Sequence, residues 1–170
     1  MANLREAVAV TGLASLEWSG ERERAIDRVA ACGKCSPLGV KLWKARYMLE
    51  AKAYQDARGE LISLYSARYV RERREIAEKI ADQALHEFMS FFCATCNGAK
   101  EVMVGELKVT CSACLGSGVK RYSDAERATS MQLSYGLTKR LRHKVGWLLG
   151  EMSAIDRLVN SQLNSELERV

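Results

Sequence analysis

Cysteine is the residue type in this chain best suited to metal or redox chemistry. The chain has six cysteines, and four of them form two C-x-x-C pairs with fourteen residues between the pairs. Each pair can present two thiolates from one tight turn, and two such turns complete a tetrahedral four-sulfur site that favours Zn²⁺. Four protein ligands leave no open position for water or substrate. We therefore predict one structural zinc ion bound by Cys93, Cys96, Cys111 and Cys114.

Two other chemistries stay open for these four cysteines, although the sequence favours them less. A redox-active pair normally lies in a βαβ pattern, which neither C-x-x-C pair has around it. An iron–sulfur cluster is the second alternative. Gly98, Gly116 and Gly118 follow the cysteines closely. At these positions we expect the backbone to turn and direct N–H groups at sulfur.

The remaining residues give little indication of catalysis. Cys32 and Cys35 form a C-x-x-C pair with no second pair to complete a four-sulfur set. Two ordinary thiols are the favoured interpretation, and a partial metal site or a redox switch is the alternative. His86 and His143 lie in predicted helices outside any recognisable catalytic motif, and we identify neither a Ser/His/Asp constellation nor a P-loop. We predict that the protein is not an enzyme.

The elements that must position the cysteines are mostly helical. A single proline and abundant Ala, Leu, Glu, Arg and Lys favour helices. Helical spacing of apolar residues runs from about 40 to 65, with Gly59 as a candidate break, and residues 70–92 form a strongly amphipathic pattern. Residues 101–110 predict a β-hairpin around Gly105-Glu106. The predicted fold is mainly α, a helical domain with a zinc-binding β-hairpin inserted beside a helix-turn-helix.

Domain organisation and location follow from composition. We predict an N-terminal segment, residues 1–36, in which Ser19 caps a helix. The sequence leaves open whether this segment is ordered. Residues 37–170 are predicted to form the helical domain, with the zinc hairpin at 93–118. We recognise neither a signal peptide nor an apolar run of about 18 residues, so we predict a cytoplasmic protein with reduced cysteines.

The segment 123–148 has the length and break of a helix-turn-helix. Ser123 and Glu126 form a capping box for a helix of roughly 124–132. After a turn at Ser134-Tyr135-Gly136, a second helix is expected from about Thr138, with an apolar stripe on one side and basic residues on the other. The predicted DNA-facing residues on this helix are Thr138, Lys139, Arg140, Arg142, His143 and Lys144, with Lys120, Arg121 and Arg127 as nearby phosphate contacts.

The distribution of charge agrees with a polyanionic partner. The net charge is +5, and residues 100–148 carry nine Lys and Arg against four Asp and Glu. Such a local excess suits contact with nucleic acid. A solvated basic helix face is the alternative that charge alone leaves open.

The segment from Cys93 to Leu148 resembles the lambda-type late-gene antitermination proteins of lambdoid phages, the Q proteins. The shared features are an aromatic-rich helix that enters C-x-x-C-x-G, a hairpin, C-x-x-C-x-G-x-G, the stretch KRYSDAERA, and a short helix followed by one entered through "LT". The resemblance extends over roughly residues 75–165. It departs at Lys100, which stands where the family pattern has a second glycine, while all four cysteines are kept.

This resemblance implies a specific function. Such proteins bind a DNA element in a phage late promoter, load onto a promoter-proximal paused RNA polymerase, and travel with it through terminators. The implied partners are double-stranded DNA and the bacterial RNA polymerase, through its β flap and sigma factor, with NusA as a further candidate. The implied location is the cytoplasm of the bacterial host, with no membrane partner. In this family the zinc hairpin lies within the DNA-binding region.

A chaperone-like or protein-interaction module is the alternative function. The pattern C-x-x-C-x-G-x-G also resembles the cysteine-rich region of DnaJ-type co-chaperones. That region has four such repeats and usually accompanies an HPD tripeptide, whereas this chain has two repeats and no HPD. The antitermination resemblance is therefore favoured.

Overall fold

The computed structural model describes residues 26, 27, 30, 33–90 and 92–167. This part of the chain holds five helices and one hairpin, so the prediction of a mainly α fold is confirmed. None of these helices combines the length and the hydropathy that a membrane span requires. The elements are α1 (Pro37–Trp43, continued by a π-helical turn at Lys44–Met48), α2 (Ala51–Arg68), α3 (Arg74–Met89), β1 (Glu101–Val104), β2 (Leu107–Thr110), α4 (Asp124–Met131) and α5 (Tyr135–Leu167).

The described residues fall into two compact units. Residues 89–123 form one unit, here called the cysteine unit, and residues 33–88 with 124–167 belong to the other, the helical unit. The cysteine unit is thus an insertion in sequence between α3 and α4. Most of the predicted N-terminal segment, including Ser19 and Cys32, lies outside the described residues. The predicted boundary at residues 36 and 37 stays a prediction.

Helix α1 begins at a capping residue, and the break that follows it lies at a residue type that does not usually mark one. The Ser36 Oγ accepts a hydrogen bond from the Gly39 N–H at 3.1 Å, and Pro37 occupies the first turn, where its missing N–H costs nothing. After the π-helical turn, Leu49 adopts a left-handed φ of 55° and α2 starts at Ala51. The candidate break at Gly59 is therefore wrong, because Gly59 lies exposed within α2, where a glycine is tolerated.

The C-terminal half of α5 packs against α1 at close range. A Cβ on Gly39 would lie 2.9 Å from the Val159 Cγ2, so only glycine permits this approach. The Trp43 Nε1 donates to the Asn160 side chain at 3.2 Å. Next to this contact, the Asp156 carboxylate accepts from the guanidinium of Arg46 at 2.9 Å and from the hydroxyl of Tyr47 at 3.2 Å. These polar contacts fix the register of the two helices.

A buried ion pair joins α4 to α3. Arg127 donates through Nε and Nη2 to the two oxygens of Glu87, at 2.6 and 2.7 Å. The two side chains are only 13% and 6% exposed. Glu87 also accepts from the Gln83 amide at 2.7 Å. The bidentate pair compensates for the cost of burying both charges and sets the position of α4 on α3.

Loss of this pair should destabilise the helical unit strongly. We expect Arg127→Met to lower the free energy of unfolding by about 3 kcal/mol, because Glu87 would remain buried without its countercharge. Urea denaturation followed by circular dichroism measures this change. Arg140→Met is the matched control, because Arg140 is exposed and should change stability by less than about 0.5 kcal/mol. Equal stability of the two variants would contradict the structural role of Arg127.

Candidate metal centre and nucleic-acid interface

The four predicted ligands converge in the cysteine unit. Their sulfur atoms all lie within 4.8 Å of one another, and all four residues are buried. The Sγ atoms of Cys93 and Cys111 are 3.8 Å apart, and those of Cys96 and Cys114 are 3.7 Å apart. Tetrahedral zinc with bonds of about 2.3 Å places sulfurs about 3.8 Å apart, whereas a disulfide needs about 2.05 Å. The donor set fits a metal ion such as zinc.

The two cysteine loops, residues 93–100 and 111–118, share one backbone conformation. Positive φ angles occur at the first, second and fourth residues after Cys96, and again at the same three places after Cys114. The matching pairs are Asn97 (47°) with Leu115 (51°), Gly98 (84°) with Gly116 (76°), and Lys100 (69°) with Gly118 (77°).

Reciprocal hydrogen bonds join the two loops. The Cys93 N–H donates to the Gly118 carbonyl, and the Cys111 N–H donates to the Lys100 carbonyl, both at 2.9 Å. The Gly118 N–H also donates to the Cys114 sulfur at 3.3 Å, which confirms the predicted role of that glycine. Lys100 takes the conformation of its glycine counterpart although it carries a side chain. Lys100 therefore keeps the loop geometry at the cost of left-handed strain.

The electrostatics of the sulfurs lower the pKa at two of the four sites. Hydrogen bonds from the backbone N–H groups of Cys96 and Thr95 lower the pKa of Cys93 to about 6. Burial raises the pKa of Cys114, but N–H groups such as that of Gly118 outweigh it and the net shift is downward. Burial raises the pKa of Cys96 to about 11. Four thiolates this close together repel one another, so a bound cation is what allows all four to be charged.

Among the described residues, the apolar side chains of the hairpin are mostly exposed. β1 and β2 pair antiparallel, with Val102 opposite Val109 and Val104 opposite Leu107, which confirms the predicted hairpin. Val102 packs on the cysteine cluster, whereas Met103, Val104 and Leu107 are 60 to 72% exposed. A two-stranded hairpin is marginal by itself in water. Within the described residues, the hairpin therefore depends on the sulfur cluster for its buried contact.

The short turn of the predicted helix-turn-helix lies earlier than expected. α4 begins at Asp124 as predicted, and Gln132 adopts a left-handed φ of 52° after the helix ends. Ser134 then starts α5, because its Oγ accepts from the Leu137 N–H at 3.4 Å and its carbonyl accepts from the Thr138 N–H at 2.9 Å. The expected start near Thr138 is wrong by three residues, because α5 begins at Tyr135, and it runs unbroken to Leu167.

Three of the predicted DNA-facing residues are engaged inside the helical unit. Thr138 is fully buried, and its hydroxyl donates to the Ser134 carbonyl at 3.1 Å. Arg127 is committed to Glu87, and the Lys144 ammonium is paired with Glu72 and 17% exposed. Thr138 is therefore buried in this arrangement, and the side chains of Arg127 and Lys144, both predicted to contact DNA, lie in ion pairs with carboxylates of the protein.

The other candidates are exposed in two separate units. Lys139, Arg140, Arg142 and His143 are exposed on α5, and the Arg142 guanidinium lies 3.5 Å from the Asp124 carboxylate. Lys120 and Arg121 are exposed in the cysteine unit, where the Lys120 ammonium lies 4.2 Å from the centre of the Tyr122 ring. Sequence reasoning missed Glu87 and Glu72, since partners 40 and 72 residues away leave no local pattern.

Removal of one ligand should abolish metal binding and the fold of the cysteine unit together. We expect purified protein to contain one zinc ion per chain, measured by elemental mass spectrometry, and Cys111→Ser to contain none. In that variant the amide resonances of β1 and β2 should lose their dispersion. Cys35→Ser is the control and should keep both zinc and dispersion, because Cys35 lies in the helical unit. A dispersed hairpin in metal-free protein would contradict the metal-dependent fold.

The matching positions Lys100 and Gly118 should respond in opposite directions. A Cβ on Gly118 would lie 2.8 Å from the Gly98 carbonyl oxygen, so Gly118→Ala should weaken zinc binding at least tenfold in competition with a chelator. Lys100→Gly should tighten it severalfold by relieving left-handed strain. Gly105→Ala separates strain from collision, since Gly105 also has a positive φ but nothing within 4 Å of its Cβ position. An equal loss of zinc affinity in Gly118→Ala and Gly105→Ala would contradict a steric collision at Gly118 as the cause.

Comparison of the chain with protein-family models, with curated proteins and with solved structures gives no match. The interpretation of the sulfur cluster and of the exposed basic residues of α5 therefore depends on the chain's own sequence and structure. The resemblance to phage antitermination proteins stays a prediction.

Proposed function

We propose that this protein binds double-stranded DNA through α4 and α5 and acts as a transcription antitermination factor. The observation that carries the proposal is the division of the first turns of α5 into two faces. Leu141 and Val145 are buried on one face, whereas Lys139, Arg140 and His143 are exposed on the other. A recognition helix needs this division, because one face holds the helix to the protein and the other enters the major groove.

The ion pairs of Arg127 and Lys144 narrow the choice of DNA-contacting residues. Lys139 and His143 lie four residues apart and therefore share one face of α5, with Arg140 beside them. No ion pair involves Lys139 or Arg140 in the described part of the chain. An arginine in this place can donate two hydrogen bonds to guanine in the major groove. We assign base contact to Arg140, and phosphate or base contact to Lys139 and His143.

Zinc has a structural part in this proposal. Cys93, Cys96, Cys111 and Cys114 would hold the ion, and the ion would supply charge compensation for four thiolates. A four-cysteine site has no open ligand position, so it suits a folding role. Lys120 and Arg121 are exposed in the cysteine unit and stay candidates for contact with DNA phosphates.

The role in transcription rests on the resemblance to lambdoid phage late-gene proteins. By this proposal the protein recognises a DNA element beside a promoter and joins the paused RNA polymerase there. Its partners would be the β flap, the sigma factor and NusA. The exposed basic residues of α5 support the first of these steps, and a nucleic acid partner also agrees with the net charge of +5.

A protein-interaction module is the second candidate function, and the hairpin surface favours it. The side chains of Met103, Val104 and Leu107 are mostly exposed, as is that of Leu115, and Val119 is about half exposed. Exposed apolar groups in one small unit are typical of protein contacts. This candidate predicts that charge substitutions in the hairpin abolish partner binding while DNA binding is kept.

Selection of duplexes from a random-sequence library tests the proposal. We expect the zinc-loaded protein to enrich one sequence and to bind it more weakly as salt rises. Arg140→Gln should then lower the affinity for that duplex roughly ten- to hundredfold, because one bidentate base contact is lost. Fluorescence anisotropy measures the affinities.

Arg157→Gln is the control for this substitution, because Arg157 is also an exposed arginine of α5 but lies in its C-terminal half. It should leave the affinity within about twofold. Failure of the wild-type protein to enrich any duplex would contradict the proposed function. Equal effects of the two arginine substitutions would contradict the assigned base contact.

A further inference from the structure

The connection between α2 and α3 concentrates positive charge. Residues 68–74 read RYVRERR, with four arginines and one glutamate in seven positions. All four arginines are exposed. Arg74 pairs with Glu78 at 2.9 Å, whereas no carboxylate in the described ranges forms an ion pair with Arg68, Arg71 or Arg73. Three guanidinium groups are therefore left without neutralisation by that part of the protein.

The single acidic residue of this connection is committed to the fold. The Glu72 carboxylate accepts a hydrogen bond from the Tyr65 hydroxyl at 3.2 Å and also pairs with the Lys144 ammonium. Lys144 belongs to α5, so this contact fixes the connection against that helix. Glu72 is neutralised there and does not cancel the charge of the arginines.

Aromatic rings hold one of these arginines in place. The Tyr69 and Trp147 rings meet edge to face, with centroids 5.6 Å apart. The guanidinium of Arg68 lies over the Trp147 ring at 4.7 Å from its centre. A guanidinium stacked on a ring keeps its N–H edges available, and its planar fork matches two oxygens of a phosphate group. Stacking therefore prepares Arg68 for phosphate at little further cost in side-chain entropy.

These groups surround an open cleft of about 430 Å³. Trp147 stands beside it on α5, seven residues after Arg140 and therefore on the same side of the helix, about 10 Å further along the axis. The cleft thus continues the face that carries Arg140 and His143. Its lining residues are Arg68, Tyr69, Val70, Arg71, Glu72 and Lys144.

We propose that this surface, the arginine cleft, binds backbone phosphates of the same DNA duplex that α5 contacts. The inference rests on the proposed function, to which it adds a second, sequence-independent contact. Arg68 would bind one phosphate from its stacked position, and Arg71 and Arg73 would neutralise the adjacent phosphates. Phosphate contacts hold a protein in register without reading sequence, so the arginine cleft raises affinity for every duplex alike.

The salt dependence of duplex binding tests the arginine cleft. The triple variant Arg68→Gln, Arg71→Gln, Arg73→Gln should bind the selected duplex with a slope of log K against log salt that is shallower by about 0.9 per lost contact, or roughly two to three in total. Its affinity for an unrelated duplex should fall by the same factor. Arg140→Gln should instead reduce the preference for the selected duplex, and Arg157→Gln should change neither slope nor preference.

A second variant distinguishes the loss of phosphate contacts from a loss of folding. Arg71→Gln with Arg73→Gln leaves the Arg68–Trp147 stack intact, and it should lower the slope by about 1.8 while thermal unfolding is unchanged. Wild-type slope in both variants would overturn the arginine cleft while the proposed function survives. Loss confined to single-stranded DNA would also overturn it. A wild-type protein that binds no duplex would end both proposals.

Discussion

Repulsion among the four cysteine sulfurs, once all are thiolates, is the constraint on which the cysteine unit depends. The sulfurs of Cys93, Cys96, Cys111 and Cys114 stand at the separations of a tetrahedral metal site, and the hairpin they close has little apolar core to replace that site. Such a group of charges is stable only around a cation. The backbone around it is correspondingly specialised, since left-handed residues recur at matching places in both loops. Zinc would therefore act as the core of this unit.

Charge pairing in the helical unit decides which cations remain for a partner. Arg127 with Glu87, Lys144 with Glu72 and Arg46 with Asp156 are at least partly buried and connect elements far apart in sequence. A cation committed in this way cannot also hold DNA without leaving its carboxylate buried and unpaired. The exposed residues of α5 and of the α2–α3 connection keep their charge. Basic residues of this unit therefore fall into two groups. Those in ion pairs contribute to stability, and the exposed ones are available to bind a partner.

Local signals in the sequence predict much of this fold, and long-range contacts account for the errors. The spacing of the cysteines predicts the sulfur cluster, and the alternation around Gly105 predicts the hairpin, because both depend on neighbouring residues. Gly59 stays helical because its exposed position in α2 tolerates glycine, and the break falls at Leu49, where no glycine marks it. The burial of Thr138 and the engagement of Arg127 depend on packing between helices. No pattern of residue types along the chain reveals such partners.

Transcription through a terminator tests the central claim most directly. The template would carry the selected duplex beside a promoter with a promoter-proximal pause, followed by an intrinsic terminator. We expect zinc-loaded protein to increase the full-length transcript severalfold with bacterial RNA polymerase, and Arg140→Gln to remove the increase. A template with a scrambled element should show no response. Unchanged termination by a protein that binds the element tightly would contradict antitermination and leave only a DNA-binding protein.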